Sequence, residues 1–259
     1  MLEQKKKNKG PWILVLLLLI VMAGAYLGVH YWKQYRQMER ARRARYAFFG
    51  IDIPVNYSIH GIDISSHQEF IHWPAVKAMK LQKIQVNFVF IKATEGLNDA
   101  DKQFKYNWAE AKKDSITRGA YHFFLATKSG KAQAENFMAA VKLNKGDLPP
   151  VLDIEELYGV SPDAMRARVL EFLEAVEARY KLRPVIYTYL DFYEKFLGKD
   201  FDEYPLWVAN YDEKLKPKIK RNWLFWQHSD RGRVNGITTG VDFDVFAGDS
   251  TDFKGLLAP

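Results

Sequence analysis

The chain has 259 residues, of which 48% are hydrophobic and 15% aromatic, so it can bury a sizeable core and is unlike a disordered chain. It contains no cysteine, which excludes disulfides, thiolate metal sites and a cysteine nucleophile. Residues 1–46 carry ten basic side chains against two acids, so the formal charge of +7 leaves −1 for residues 47–259. A body this close to neutral does not support binding to nucleic acid.

The chain begins with a segment suited to a membrane. Residues 11–29 form an uncharged run of 19 residues, and a helix of that length nearly spans a hydrocarbon core. Aromatic side chains that favour the membrane interface lie near both of its ends: Trp12, Tyr26, Tyr31 and Trp32. We predict a basic cytoplasmic head over residues 1–10 and a transmembrane anchor over residues 11–32.

A cleaved signal peptide is the alternative, because Ala23-Gly24-Ala25 has the small-residue pattern of a cleavage site. The apolar run continues past this triplet and is longer than a usual signal core, which favours the anchor. Both interpretations send the rest of the chain across a membrane. Four lysines precede the run and six basic residues follow it, a count that weakly opposes export.

Residues 33–57 are predicted to form a basic juxtamembrane stalk and linker. Arg36, Arg40 and Arg43 recur at helical spacing, which indicates a solvated helix. Attraction to anionic lipid headgroups would contribute about 1 kcal/mol per basic residue near the surface. The stretch from Gly50 to Tyr57 contains Pro54 and has the composition of a linker.

Residues 58–259 alternate short apolar runs with amphipathic stretches, a rhythm typical of βα units and a parallel sheet. After Tyr204 the runs come closer together and long helical patterns disappear, so we expect a barrel whose last third is mostly β. Strands are predicted near Ile59–Ile64, Phe88–Ala93, Arg118–Phe124, Val151–Ile154, Val185–Thr188, Leu206–Ala209, Leu224–Gln227 and Val241–Phe246. Helical stretches are predicted around Trp73–Met79, Ala100–Lys113, Ala132–Leu143 and Asp163–Arg179.

Reactive groups of barrel enzymes lie at the C-terminal ends of the strands. Asp153 and Glu155 are two residues apart on one strand and therefore share a face. Alone, such a pair is more often a solvated turn, but other acids and aromatic rings occupy the predicted mouth with it: Asp63, Tyr121, Tyr187, Trp207, Tyr211, Gln227 and Asp242. Paired carboxyls suit acid-catalysed cleavage of a glycosidic bond, and aromatic rings suit stacking on sugars.

Five segments in this order resemble glycoside hydrolase family 25, the Chalaropsis-type lysozymes, which are N-acetylmuramidases. The resemblance runs from about His60 to Phe246. Its motifs are GIDIS from Gly61, FIKATEG from Phe90, GAYHF from Gly119, PVLDIE from Pro150 and VDFD from Val241. It implies an irregular TIM-like (β/α)5(β)3 barrel and cleavage of peptidoglycan between N-acetylmuramic acid and N-acetylglucosamine.

The resemblance also implies roles for individual residues. Glu155 matches the general acid, for which apolar neighbours and the charge of Asp153 would raise the pKa. Asp153, Asp63 and Asp242 match further carboxylates of the cleft. The expected substrate contacts are Tyr121, Tyr187, Trp207, Tyr211 and Gln227.

Family 25 enzymes retain the anomeric configuration, but two groups compete for the role of nucleophile. One is a carboxylate, held about 5 to 5.5 Å from the acid in retaining enzymes. The other is the N-acetyl oxygen of the substrate, with an aspartate assisting. The spacing of Asp153 and Glu155 favours the second route, and the sequence leaves the choice open.

We therefore expect a single-pass protein of the bacterial inner membrane whose catalytic body faces the cell wall, or a secreted form after signal cleavage. The partners expected are peptidoglycan and, through the N-terminal helix, the membrane. No cofactor and no metal are expected, because the six histidines lack a metal-ligand pattern. Oligomeric state is left open. The alternatives are a chitinase-like N-acetylhexosaminidase and an inactive wall-binding module.

Overall fold

The structure, a computed structural model, describes residues 10–211 and 213–259, and the side chains from Leu14 onward apart from residue 212. The predicted cytoplasmic head over residues 1–10 lies outside the described side chains, as does Trp12. The helices are α1 Gly10–Phe49, α2 Trp73–Ala78, α3 Phe104–Lys113, α4 Gly130–Ala140, α5 Pro162–Tyr180, α6 Leu190–Phe192 and α7 Ser250–Leu256. The barrel strands are β1 His60–Ile64, β2 Ile84–Glu95, β3 Thr117–Phe123, β4 Val151–Asp153, β5 Val185–Tyr189, β6 Leu206–Ala209, β7 Phe225–Gly232 and β8 Val241–Phe246.

The eight strands close into a barrel. Strands β1 to β7 pair in parallel in chain order. Strand β8 closes the barrel by pairing antiparallel with both β7 and β1. Two short strands, Lys80–Leu81 and Asp99–Ala100, are added antiparallel to β2. The predicted mixed α/β barrel preceded by one apolar helix is confirmed.

Aromatic side chains fill the barrel interior, as in the layered cores of such folds. The rings of Phe90 and Trp207 stack with centroids 4.5 Å apart, and Phe225 packs edge-on to Phe90 at 5.0 Å. A Cβ at Gly61 would lie 2.3 Å from the ring of Phe88, so only glycine fits on β1 at this level. This packed floor holds the polar side chains above it at one end of the barrel.

Helix α1 runs without interruption from the apolar segment to the barrel. Residues 14–49 contain the one stretch of the described chain that is long and apolar enough to cross a membrane, with a mean hydropathy of 2.2 and no burial inside the protein. The helix ends on the barrel, where Phe49 is 1% exposed and packs edge-on against Phe243 at 5.8 Å. The backbone of Phe49 also accepts a hydrogen bond from Arg233 N at 2.7 Å.

The segment after α1 belongs to the hydrophobic core, although its composition is that of a linker. Ile51 and Ile53 are 7% and 5% exposed. Both belong to the main hydrophobic cluster, which strands of the barrel form together with the surrounding helices. Arg42 binds Asp52 through Nε and Nη2 at 3.0 to 3.2 Å, which ties the helix to this segment. The division of the chain at residue 58 stays a prediction.

Three helical regions of the described chain were not predicted from the sequence, and the first is a 3-10 turn over Ser66–Gln68. Residues 190–201 form α6, a π-helical turn over Tyr193–Leu197 and a 3-10 turn over Gly198–Phe201 in place of a regular helix. Helix α7 is capped by Asp249, whose side chain accepts hydrogen bonds from the backbone N–H groups of Thr251 and Asp252. Segments this short carry too few turns for a helical period to appear in the sequence.

Candidate active site

The predicted site residues meet at the C-terminal mouth of the barrel. The register of β1 and β8 sets Asp63 directly opposite Asp242. Across the barrel, Asp153 aligns with Tyr187 on the neighbouring strand, and Tyr187 aligns with Trp207 on the next. The mouth therefore gathers residues that lie up to about 180 positions apart in the chain, as the rule for parallel barrels predicts.

Asp153 and Glu155 form one carboxyl pair. Asp153 is 5% exposed, whereas Glu155 follows the end of β4 and is half-buried. The two side chains are in hydrogen-bond contact. A hydrogen bond between two carboxyl groups requires a proton on one of them, so this contact favours a state in which the pair shares one proton.

Burial is the main cause of the raised pKa values of this pair. It raises the pKa of Asp153 well above the usual range, and the adjacent Glu155 raises it further. Burial also raises the pKa of Glu155, while the contact with Asp153 and a hydrogen bond from Tyr189 lower it. The contact with Asp153 lowers the pKa of Glu155, opposite to the expected direction, whereas the expected effect of the apolar surroundings is present.

Gln227 connects three of the predicted side chains. Its Nε2 donates to Asp63 Oδ2 at 2.7 Å. Its Oε1 accepts hydrogen bonds from the hydroxyls of Tyr187 at 2.8 Å and Tyr211 at 2.7 Å. Both the nitrogen and the oxygen of this buried amide are therefore hydrogen-bonded, which fixes the orientation of the amide.

Asp63 and Asp242 have raised pKa values. Burial raises the pKa of Asp63, and the charges of Asp242 and Asp244 raise it further. Burial raises the pKa of Asp242 to about 6. Tyr121 is 9% exposed, and burial raises the pKa of its hydroxyl well above the usual range.

An open cavity of about 480 Å³ adjoins Glu155. Glu155 and Tyr211 line it on one side, together with Tyr189, which is 39% exposed. The other predicted residues lie deeper in the mouth and do not line this cavity. The rest of its wall comes from the irregular segment after β5 and the end of β6: Leu190, Asp191, Phe192, Lys195, Phe196, Ala209 and Asn210.

Lys92 supplies positive charge near the carboxyl pair. Its Nζ lies 2.6 Å from Glu95 Oε2 and 4.8 Å from the centroid of the Phe123 ring. Its charge lowers the pKa of both Asp153 and Glu155. Lys92 and Glu95 thus form an ion pair beside the two carboxyls.

Two residues of the mouth were not among those predicted. Tyr189 donates to Glu155, and it was missed because the predicted fifth strand ended one residue before it. Asp244 is fully buried and its Oδ1 accepts a hydrogen bond from Trp207 Nε1 at 2.7 Å. Strand alternation is a signal for both, since Tyr189 shares a face with Tyr187 and Asp244 with Asp242.

Comparison with known proteins decides the family. The sequence profile of Glycosyl hydrolases family 25 matches residues 62–237, which is more than half of the chain. The chain belongs to glycoside hydrolase family 25. The match begins in β1 and ends between β7 and β8, so it covers the mouth up to that point.

Relatives of known sequence agree with this family. The chain is 43% identical over 209 residues to the protein YegX of Escherichia coli O6:H1 strain CFT073, over 81% of this chain and 77% of YegX. It is 35% identical over 213 residues to lysozyme M1 of Streptomyces globisporus, over 76% of this chain and 71% of the lysozyme.

Solved family 25 structures share the fold. A family 25 glycosyl hydrolase from Bacillus anthracis superposes with a TM-score of 0.71 at 31% identity, over 78% of this chain and 94% of that one. A bacterial lysozyme from Streptomyces coelicolor gives a TM-score of 0.69 at 34% identity, over 77% and 96% of the two chains. The barrel of this family 25 protein is therefore that of solved members.

Proposed function

We propose that this protein is a peptidoglycan hydrolase that cleaves the β-1,4 bond between N-acetylmuramic acid and N-acetylglucosamine with retention of configuration. The observation that carries the proposal is the contact between the carboxyls of Asp153, which is buried, and Glu155, which lines an open cavity of about 480 Å³. Lysozyme M1 and other family members named as lysozymes support the choice of substrate. They do not favour a chitinase or an inactive module.

Glu155 is the proposed general acid. It is the member of the pair that lines the cavity, so it can reach a glycosidic oxygen there. Burial raises its pKa, which suits a group that must stay protonated near neutral pH. Transfer of its proton to the leaving oxygen breaks the bond to the anomeric carbon.

Asp153 is proposed to assist rather than attack. Its contact with Glu155 leaves no room for a sugar ring between the two carboxyls, whereas a nucleophilic carboxylate must reach the anomeric carbon from the face opposite the acid. Asp153 can instead exchange a proton with Glu155 and polarise the acetamido group of the substrate. Attack by the N-acetyl oxygen on the anomeric carbon then expels the protonated leaving group, and water opens the resulting ring.

The remaining predicted residues are proposed to hold the sugars. Asp63 and Asp242 face each other at the mouth and accept hydrogen bonds from hydroxyl or amide groups. Gln227 sets the orientation of its neighbours, since it binds Asp63, Tyr187 and Tyr211 together. The rings of Tyr121 and Trp207 contribute apolar surface to the floor.

The reaction is tested by incubating the full chain in detergent with purified sacculi and, separately, with chitin. Release of soluble muropeptides from sacculi alone supports the proposal. Activity confined to chitin contradicts it. Binding to sacculi without any product, under conditions in which a family 25 lysozyme is active, identifies a binding module instead.

We propose further that residues 11–32 are an uncleaved anchor, with residues 1–10 in the cytoplasm, residues 33–57 as a stalk and residues 58–259 on the wall side of the inner membrane. The apolar helix of α1 supports this placement, and a wall substrate requires an exported body. Protease added outside intact spheroplasts should digest the barrel. Protection of the barrel contradicts export, and a mature chain that begins after Ala25 shows signal cleavage.

A further inference from the structure

Asp244 is a fully buried acid that the proposed reaction does not use. It lies on β8, two residues beyond Asp242 and on the same side of the strand. Its Oδ1 accepts the indole hydrogen of Trp207 at 2.7 Å, whereas its Oδ2 has no hydrogen-bond donor among the described residues. A buried carboxylate oxygen without a donor is costly, so a native structure that keeps one requires an explanation.

The neighbour that resolves this deficit is Asp63. The carboxyls of Asp63 and Asp244 are in hydrogen-bond contact. Two carboxylates in contact offer acceptors and no hydrogen, so the contact is favourable only when one of the two groups carries a proton. One proton between them removes the repulsion and supplies the hydrogen bond that the pair otherwise lacks.

The groups around this pair offer no other compensation. The side chains that act on the two carboxyls are the acid Asp242, the amide of Gln227 and the indole of Trp207. Tyrosines face the pair from β3, β5 and the segment after β6, and burial keeps all of them protonated: Tyr121, Tyr187 and Tyr211. In the part of the chain that the structure describes, no cation is among these groups.

We propose that Asp244 is a positioning residue that shares one proton with Asp63 and so holds the Asp63 carboxyl in a fixed orientation at the mouth. Asp63 is then bound by Gln227 Nε2 at 2.7 Å and by Asp244, and Asp242 on the same face also contacts it. The shared proton also reduces by one the negative charge in a mouth that contains Asp153, Glu155 and Asp242. The charge of Glu155 raises the pKa of Asp242, so the acids on the two sides of the mouth act on one another.

The test compares wild type with Asp244→Asn in the full chain. The amide keeps the size of the side chain, can still accept from Trp207 and can donate to Asp63, so Asp63 no longer needs the proton. Carbon-13 NMR of labelled aspartate carboxyls, assigned by signals lost in Asp244→Asn and Asp63→Asn, should show one protonated carboxyl of the pair at about pH 7 in wild type and an ionised Asp63 in Asp244→Asn. Two ionised carboxyls in wild type at that pH overturn the proposal.

The activity of Asp244→Asn on sacculi provides the second readout, and only this readout depends on the proposed function. The amide leaves the pair with the same single negative charge and the same hydrogen bond as the shared proton, so Asp244→Asn should keep kcat within about threefold of wild type. Asp244→Leu removes both, so we expect its kcat to fall by about tenfold to a hundredfold with less change in KM. The exposed Asp200→Asn is the matched control and should behave as wild type. A kcat of Asp244→Leu equal to that of wild type, or an Asp244→Asn variant no more active than Asp244→Leu, overturns the proposal. If Asp244→Asn does not fold, the wild-type titration, assigned with Asp63→Asn, still decides it, as it does if the wild type has no activity on sacculi.

Discussion

The amide of Gln227 donates to Asp63 across 2.7 Å and thereby joins the seventh strand of the barrel to the first. The same amide accepts hydrogen bonds from two tyrosine hydroxyls, so one buried side chain on β7 orients residues of three other segments. The family 25 mouth is thus a single hydrogen-bonded unit rather than a set of separate acids. Removing a member leaves buried partners unsatisfied.

Replacing Gln227 with Met should damage both stability and catalysis. Met has a similar length but no donor or acceptor, so Asp63 Oδ2 and two hydroxyls lose their partner. We expect the free energy of unfolding to fall by about 1 to 3 kcal/mol and kcat/KM on sacculi to fall by at least about tenfold. Urea unfolding and initial rates measure the two effects. Unchanged stability and rate would show that this amide does not organise the mouth.

Glu155→Gln should abolish hydrolysis while leaving binding to sacculi intact. Gln keeps the shape and the hydrogen-bonding capacity but cannot deliver a proton, and general acids contribute typically about 10² to 10⁴-fold in rate. Glu156→Gln is the matched control, because Glu156 is the next residue and is exposed. A Glu155→Gln variant that turns over at the wild-type rate would remove Glu155 from the role of acid.

Phe49→Ala should loosen the junction between α1 and the barrel. Phe49 is 1% exposed and packs against Phe243, and deletion of a buried Phe side chain costs about 3 to 5 kcal/mol. Tyr46→Ala is the control, since Tyr46 lies one turn earlier and is 56% exposed. Denaturant unfolding of the full chain in detergent should separate the two variants. Equal stability of both would mean that the end of α1 is not part of the core.

Buried histidines should make the protein sensitive to acid. His228 is fully buried with its Nε2 unpartnered, and burial lowers its pKa from 6.5 to about 3. As the pH falls from 6.5 towards 3 the unfolded chain binds a proton there and the folded chain does not, so stability falls across this window, by on the order of 5 kcal/mol. Urea unfolding at a series of pH values measures the slope. It should flatten in His228→Gln and stay unchanged in the exposed control His67→Gln.

The barrel strands were predictable because each is a short apolar run followed by a polar residue at the mouth. All eight predicted strands are present; Leu206–Ala209 and Val241–Phe246 have the predicted bounds, and the other six differ at one or both ends by one to five residues. The position of Asp153 and Glu155 followed from strand alternation and from the rule on strand ends. The resemblance to family 25 then supplied the order of the acids.

What the sequence did not predict depends on contacts between distant residues. No local pattern shows that Ile51 and Ile53 pack on the barrel, because a short apolar pair near a proline has the composition of a linker. The contact with Asp153 lowers the pKa of Glu155 rather than raising it, and this depends on how the two side chains meet, which strand alternation does not give. The contact of Asp244 with Asp63 likewise requires the register of β8 against β1.

The central claim is that the Asp153–Glu155 pair cuts the glycan of peptidoglycan on the reducing side of muramic acid. Mass spectrometry of sacculi digested with the full chain, after borohydride reduction of the products, identifies the sugar that bears each new reducing end. Digestion with wild type should produce reduced N-acetylmuramic acid ends, and digestion with Glu155→Gln should produce none. Products that end in reduced N-acetylglucosamine, or glycans left uncut by the wild type, would contradict it.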